Sequence, residues 1–132
     1  MQALSPVAKP LPKVLIVEDA RTVTQLIQVY LQGWDLDFHE AKNGEDGRRK
    51  AIELNPQLII TDVSMPGMDG FELCAAIRSD PKLFQVPILM ITALKDEAVR
   101  QKGRLLGVNA FLHKPVSVND LREQVKALLE LS

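Results

Sequence analysis

Cysteine and histidine are scarce in this chain of 132 residues. The single cysteine, Cys74, excludes a disulfide within the chain and a multi-cysteine zinc site, and only 2 histidines argue against a histidine-based metal site. The net charge of −1 lacks the strong basic bias of proteins that coat nucleic acid, so we expect no direct nucleic-acid contact. No apolar run approaches the roughly 18 residues of a membrane span, and no secretion signal is recognisable. We therefore expect a cytoplasmic protein without membrane contact.

The composition is that of one globular domain. Hydrophobic residues make up 46% and charged residues 25% of the chain, unlike the polar, highly charged composition of disordered proteins. Pro6, Pro10 and Pro12 interrupt regular helix and sheet pairing near the start. We expect residues 1–12 to form a flexible, proline-rich tail and residues 13–131 to form the domain.

Short apolar runs alternate with amphipathic segments along the domain. Val14–Val17 and Ile88–Ile91 are typical of strands covered on both faces, whereas Arg21–Gln32 has its apolar residues spaced for one face of a helix. The predicted strands are 14–17, 37–41, 58–60, 88–91 and 110–112. The predicted helices are 21–32, 45–54, 71–78, 96–106 and a last one that begins at the Ser117 cap. Five such units predict an α/β fold, a doubly wound parallel sheet with helices on both faces.

Polar side chains follow four of the five predicted strands. These residues are Glu18, Asp19, Asp62, Thr92 and Lys114. In an open parallel sheet, ligands bind beyond the carboxyl ends of the strands, so these residues share the functional edge. Each of them alone also fits a local role as a helix cap, a turn residue or a solvated cation.

Three carboxylates at one edge need positive charge between them. At an effective dielectric constant of about 20, two like charges about 4 Å apart are destabilised by about 4 kcal/mol. Mg²⁺ prefers hard oxygen ligands and commonly bridges one or two carboxylates to a phosphate. Lys114 would then pair with the remaining oxygens of that phosphoryl group. The pattern therefore favours a site for Mg²⁺ and phosphate.

Four motifs stand at these strand ends in a characteristic order. They are VLIVEDA at 14–20, ITD at 60–62 running on through MPGMDG at 65–70, ITAL at 91–94 and FLHKP at 111–115. With these motifs the chain resembles, from about Lys13 to Leu131, the receiver (CheY-like) domain of bacterial two-component response regulators. The resemblance implies a flavodoxin-like (βα)5 fold with strand order 2-1-3-4-5.

The resemblance also implies the chemistry of the site. Asp62 would accept a phosphoryl group from the phosphohistidine of a sensor histidine kinase or phosphotransfer protein. Mg²⁺ would be held by Glu18, Asp19 and Asp62 with the backbone carbonyl of Ser64. Lys114 would pair with a phosphoryl oxygen.

The expected output is a signalling switch rather than an enzyme. Thr92 would move to bond the phosphoryl group, Phe111 would swing inward behind it, and Pro115 would follow a cis peptide bond. The surface of the fourth helix, fifth strand and fifth helix would change, controlling an unknown effector protein or passing phosphate along a relay. We expect a monomer or weak dimer.

Several positions depart from the commonest receiver pattern. Glu18 stands where Asp is more usual, so its metal contact would be shifted or made through water. Phe111 replaces the usual Tyr and lacks its hydroxyl. Leu94 and Ser64 occupy positions that tune hydrolytic water, and the apolar Leu94 predicts a modestly slow loss of the phosphoryl group.

Gly103 lies inside a predicted helix, where glycine destabilises by about 1 kcal/mol relative to alanine. It indicates either a soft, mobile helix or close packing against a neighbour. We hypothesise that the helix at 96–106 is the element that moves.

Two other functions remain open. One is a pseudo-receiver that binds partners without being phosphorylated. The other is a haloacid-dehalogenase-type phosphatase, whose D-x-D motif has the spacing of Asp35–Asp37, although Gly33 and Trp34 before it do not form a strand. The chain would act as a stand-alone receiver or as part of a longer protein.

Overall fold

The structure, a computed structural model, describes residues Pro10–Leu131 as one sheet flanked by helices. The strands are β1 (Lys13–Val17), β2 (Asp37–Ala41), β3 (Leu58–Thr61), β4 (Ile88–Thr92) and β5 (Ala110–His113). The helices are α1 (Arg21–Tyr30), α2 (Gly44–Leu54), α3 (Gly70–Arg78), α4 (Glu97–Leu105) and α5 (Val118–Leu128). Most of the predicted tail, residues 1–9, lies outside the described residues.

All strand pairs are parallel, and the strand order is β2-β1-β3-β4-β5. This confirms the predicted flavodoxin-like fold. No helix among the described residues is long and apolar enough to cross a membrane.

Two hydrophobic layers enclose the sheet. In β1, Leu15 and Val17 face α2 and α3, whereas Val14 and Ile16 face α1 and α5. All four side chains are fully buried, and each such burial stabilises the fold by about 2 kcal/mol. The continuous apolar run at the start of the domain therefore forms the centre of the sheet.

Side-chain caps fix the beginnings of three helices. Asn43 accepts a hydrogen bond from the backbone N–H of Asp46 at α2, and Ser117 accepts one from Asp120 at α5. At α3, Asp69 and Glu72 form a reciprocal capping box. The cap spacing seen in the sequence at Ser117 is thus confirmed.

Helix α1 ends two residues earlier than predicted. It stops at Tyr30, and the backbone N–H groups of Leu31 and Gln32 close a turn by bonding Ile27 and Val29 carbonyls. Gly33 then adopts a φ of +101°, a conformation that L side chains disfavour. The chain reversal thus starts before the glycine rather than at it.

Arg78, at the end of α3, joins two loops at the amino-end edge of the sheet. Its guanidinium donates hydrogen bonds to the carbonyls of Val86 and Gly107, both at 2.7 Å, and to the Asn109 side chain at 3.0 Å. This edge lies opposite the carboxyl ends of the strands, so Arg78 supports the fold rather than the site.

We predict that Cys74 resists alkylation in the folded protein. The side chain is fully buried in α3, and burial raises the pKa of its thiol to about 12, so almost no reactive thiolate exists at pH 8. Mass spectrometry after iodoacetamide treatment should show an unmodified native protein and complete modification in denaturant. Rapid labelling of the native protein at pH 8 would contradict this.

Candidate functional site

The carboxyl ends of β1, β3 and β5 bring three charged side chains together. The backbone N–H of Glu18 bonds the Ala41 carbonyl at 2.9 Å, and that of Asp62 bonds the Val17 carbonyl at 3.2 Å. Each sheet ladder thus continues one residue past its strand. The hydrogen bonds of the sheet, rather than a flexible loop, therefore fix the backbone positions of Glu18 and Asp62.

Lys114 bridges two buried carboxylates. Its Nζ donates to Glu18 Oε1 at 2.8 Å and to Asp62 Oδ2 at 2.7 Å. The side chains of Glu18 and Asp62 are only 4% and 9% exposed. The pair therefore sits where water screens it weakly, and charge-assisted bonds of this kind are among the strong ones.

Burial and ion pairing shift the pKa values of Glu18 and Lys114. Burial raises the pKa of the Glu18 carboxyl, and the hydrogen bond from Lys114 offsets this only in part. For Lys114, burial acts to lower the pKa, but the bonds to Asp62 and Glu18 outweigh it and leave the pKa raised. Lys114 therefore stays a full cation at neutral pH.

The acidic cluster has the donors that a hard cation requires. Glu18, Asp19 and Asp62 each place a carboxylate oxygen within 4.8 Å of the others. Asp19 is exposed and gives the cluster access to solvent. Three carboxylates against the single ammonium of Lys114 leave an excess of negative charge, and all the donor atoms are oxygens, so the residues fit Mg²⁺.

Each buried carboxylate also has a second anchor. Glu18 Oε2 accepts from the backbone N–H of Ala20 at 3.1 Å. Asp62 Oδ1 accepts from Val63 at 2.6 Å and, at 3.4 Å, from Ser64. Both Glu18 and Asp62 are therefore anchored at both of their carboxylate oxygens.

The loop after β3 is held by a residue that sequence reasoning missed. Glu45 Oε1, on the first turn of α2, accepts a hydrogen bond from the backbone N–H of Met68 at 3.1 Å. Gly44 beside it is buried, and a Cβ there would lie 2.6 Å from Met68 Cγ. In the sequence Glu45 reads only as an acidic residue near a helix start, and nothing signals its contact with a loop 23 residues away.

A family model described as the response regulator receiver domain matches residues 14–126. The chain belongs to this family of signalling domains. It is similar to the transcriptional regulatory protein ResD of Bacillus subtilis, with 38% identity over 89% of this chain and 48% of the relative. The DNA-binding dual master transcriptional regulator RpaA of Synechocystis is 33% identical over 90% of this chain and 49% of the relative. The receiver domain thus spans about half the length of these curated relatives.

Solved structures agree with this assignment. A putative response regulator from Chloroflexus aurantiacus has a TM-score of 0.86 and 33% identity, covering 92% of this chain and 99% of its own. The chemotaxis protein CheY4 of Vibrio cholerae has a TM-score of 0.84 and 30% identity, covering 90% and 99%. The resemblance drawn from the sequence motifs is therefore confirmed.

Thr92 and Phe111 share one face of the receiver sheet. Met90 pairs with Phe111 and Thr92 with His113, and alternate residues of a strand face the same side. Thr92 is buried, and its hydroxyl accepts a hydrogen bond from the backbone N–H of Leu94 at 3.1 Å. Its hydroxyl is thus occupied locally and does not cap α4, which begins at Glu97.

The two aspartates of the phosphatase-like motif lie elsewhere. Asp37 is the first residue of β2, and Asp35 precedes it in the connection from α1. They therefore stand at the amino end of a strand, whereas Asp62 follows the carboxyl end of β3. This placement argues against the haloacid-dehalogenase-type reading.

Replacing Lys114 by Met should destabilise the receiver at pH 7 by about 2 kcal/mol, because two buried carboxylates lose a shared charged donor. The loss should shrink as the pH falls, because the Glu18 carboxyl, whose pKa burial raises, becomes protonated. Since the pKa of Lys114 is raised, its stabilisation is present throughout neutral pH and disappears only at strongly alkaline pH.

Urea unfolding at pH 7 and pH 4 would measure the Lys114→Met effect. Lys126→Met, at an exposed position on α5, is the matched control and should change stability little. An equal loss at both pH values would show that the ion pair is not what Lys114 contributes.

Proposed function

We propose that Asp62 is the phospho-acceptor of a two-component signalling switch. The observation that carries this proposal is the contact of 2.7 Å between Asp62 Oδ2 and Lys114 Nζ beside an acidic cluster that reaches solvent through Asp19. A carboxylate oxygen of Asp62 attacks the phosphorus of a phosphohistidine on a partner kinase or phosphotransfer protein. The P–N bond breaks, the imidazole nitrogen keeps the electron pair, and Asp62 becomes an acyl phosphate.

Glu18, Asp19 and Asp62, with the backbone carbonyl of Ser64, would hold Mg²⁺. When bound, this ion supplies positive charge against the phosphoryl oxygens during transfer. Lys114 is already within hydrogen-bond distance of Asp62 and needs only to exchange a carboxylate oxygen for a phosphoryl oxygen. The charged side chains of the site are therefore in position before the phosphoryl group is transferred.

Phosphorylation changes the charge that Lys114 and Thr92 face. The new group carries more negative charge and more acceptor oxygens than a carboxylate. The Thr92 hydroxyl would leave the Leu94 N–H and bond the phosphoryl group, and Phe111 would move inward behind it. The resulting change at α4, β5 and α5 would control an effector protein or allow onward transfer of phosphate.

The relatives suggest one class of effector. RpaA is a DNA-binding dual master transcriptional regulator, and ResD is a transcriptional regulatory protein. We infer that a DNA-binding output, in the same chain or in a partner, is one target for this receiver. The pseudo-receiver alternative has no supporting observation, because Asp62, Lys114 and the acidic pair stand together.

Acetyl phosphate with Mg²⁺ should add one phosphoryl group to the receiver, because the Asp62 carboxylate lies beside Lys114 and within an acidic cluster that reaches solvent through Asp19. Intact mass spectrometry would detect the adduct. It should be absent in Asp62→Asn and after removal of Mg²⁺ by a chelator.

The matched control is Asp35→Asn, which removes a carboxylate from the phosphatase-like motif and should label normally. Labelling that survives in Asp62→Asn would contradict the proposal. If the wild type hydrolysed a phosphate ester and Asp35→Asn did not, the result would support the phosphatase alternative.

Loss of the phosphoryl group should be modestly slow and should accelerate several-fold in Leu94→Asn. Leu94 is 40% exposed near the site, and an amide there can orient an attacking water, which an apolar side chain cannot. The decay of the adduct after removal of acetyl phosphate measures this rate.

Lys95→Asn places the same amide on the neighbouring exposed residue and should leave the decay unchanged. A wild-type half-life of only a few seconds, or equal rates in Leu94→Asn and wild type, would contradict the role given to Leu94.

A further inference from the structure

The one buried residue of α4 is a glycine. Gly103 lies against the ring of Phe111, and a Cβ at this position would overlap Phe111 Cζ and lie 2.9 Å from Cε1. Glycine destabilises a helix interior relative to alanine, so its presence here calls for a steric reason. The Phe111 ring supplies that reason, because it occupies the space where any side chain at position 103 would stand.

Little else holds α4 to the sheet. Val99 and Leu106 are only partly buried against the core, and Arg100 Nη2 lies 3.2 Å from His113 Nδ1. By contrast, α3 buries four large or apolar side chains. These are Phe71, Leu73, Cys74 and Ile77. The position of α4 therefore depends on a few contacts, and the one at its buried residue is with the Phe111 ring.

The ring position belongs to the unphosphorylated arrangement. The Thr92 hydroxyl accepts from Leu94 at 3.1 Å, and Lys114 bonds the carboxylates of Glu18 and Asp62, with no bond between Thr92 and Asp62. A ring that moved inward behind Thr92 would leave the surface of Gly103, and α4 would lose this contact.

We propose that Gly103 is a positioning residue, a socket that holds the Phe111 ring in its resting place and thereby couples the ring to the seating of α4. The inference rests on the proposed phosphorylation of Asp62. A side chain at position 103 closes the socket, so the ring can no longer occupy its resting place. An inward position behind Thr92 is then favoured without phosphate.

The test is the Gly103→Ala variant, measured with beryllium fluoride and Mg²⁺ as a mimic of the phosphoryl group. Gly103→Ala should bind the mimic about fivefold more tightly than wild type, because the resting state that competes with binding is destabilised. Gln101→Ala, on an exposed position of the same helix, should bind as wild type does.

Phe111→Ala supplies the rescue. In this background the socket is empty, and adding Gly103→Ala should no longer change the affinity for the mimic. Thermal unfolding gives a second readout that needs no phosphoryl mimic. Gly103→Ala should raise the melting temperature when Phe111 is absent, as expected for a better helix former, and should fail to raise it when Phe111 is present.

Two outcomes would overturn the socket. One is an unchanged affinity in Gly103→Ala, and the other is an equal effect with and without Phe111. If wild type itself neither binds the mimic nor reacts with acetyl phosphate, the proposed function fails. The melting temperatures of the four variants then still decide whether Gly103 and Phe111 are sterically coupled.

Discussion

The ion pair of Lys114 with Glu18 and Asp62 is the interaction on which the site depends. Two carboxylates that are almost entirely buried would repel each other and, in the absence of a cation, would take up protons. The ammonium of Lys114 bonds both carboxylates and holds them close together, with contacts of 2.7 and 2.8 Å. The same contact therefore serves the stability of the site and positions Asp62 for the proposed chemistry.

The strands and helices around this site differ in how much apolar surface they bury. Strands β1, β3 and β4 are buried on both faces, and α3 is anchored by a capping box, several core side chains and Arg78. Helix α4, next to β5, has a glycine as its buried residue. Local opening is easiest where little apolar surface is buried. A change of charge at Asp62 would therefore be expressed at α4 rather than in the core of the sheet.

Periodicity and turn chemistry predicted every strand and helix of the domain, because continuous apolar runs and amphipathic spacing are local properties. The end of α1 was misplaced by two residues, since the turn at Leu31 is stabilised by backbone bonds that leave no side-chain signal. The contact of Glu45 with Met68 and the bonds of Arg78 were missed for a related reason. Both join segments far apart in the chain, and neither residue type is diagnostic of such a contact.

The class of fold and the identity of the polar residues at the strand ends follow from the sequence alone, because each is encoded in a local pattern. The order of the strands was implied only by the resemblance to receiver domains. Two matters were decided only by the tertiary structure. One is that Lys114 pairs directly with both Glu18 and Asp62, across 96 and 52 residues of chain. The other is why a glycine stands at position 103, since a mobile helix and close packing against a neighbour leave the same pattern in the sequence. The Phe111 ring resolves it, because whether a Cβ fits depends on the atoms that the fold places beside it.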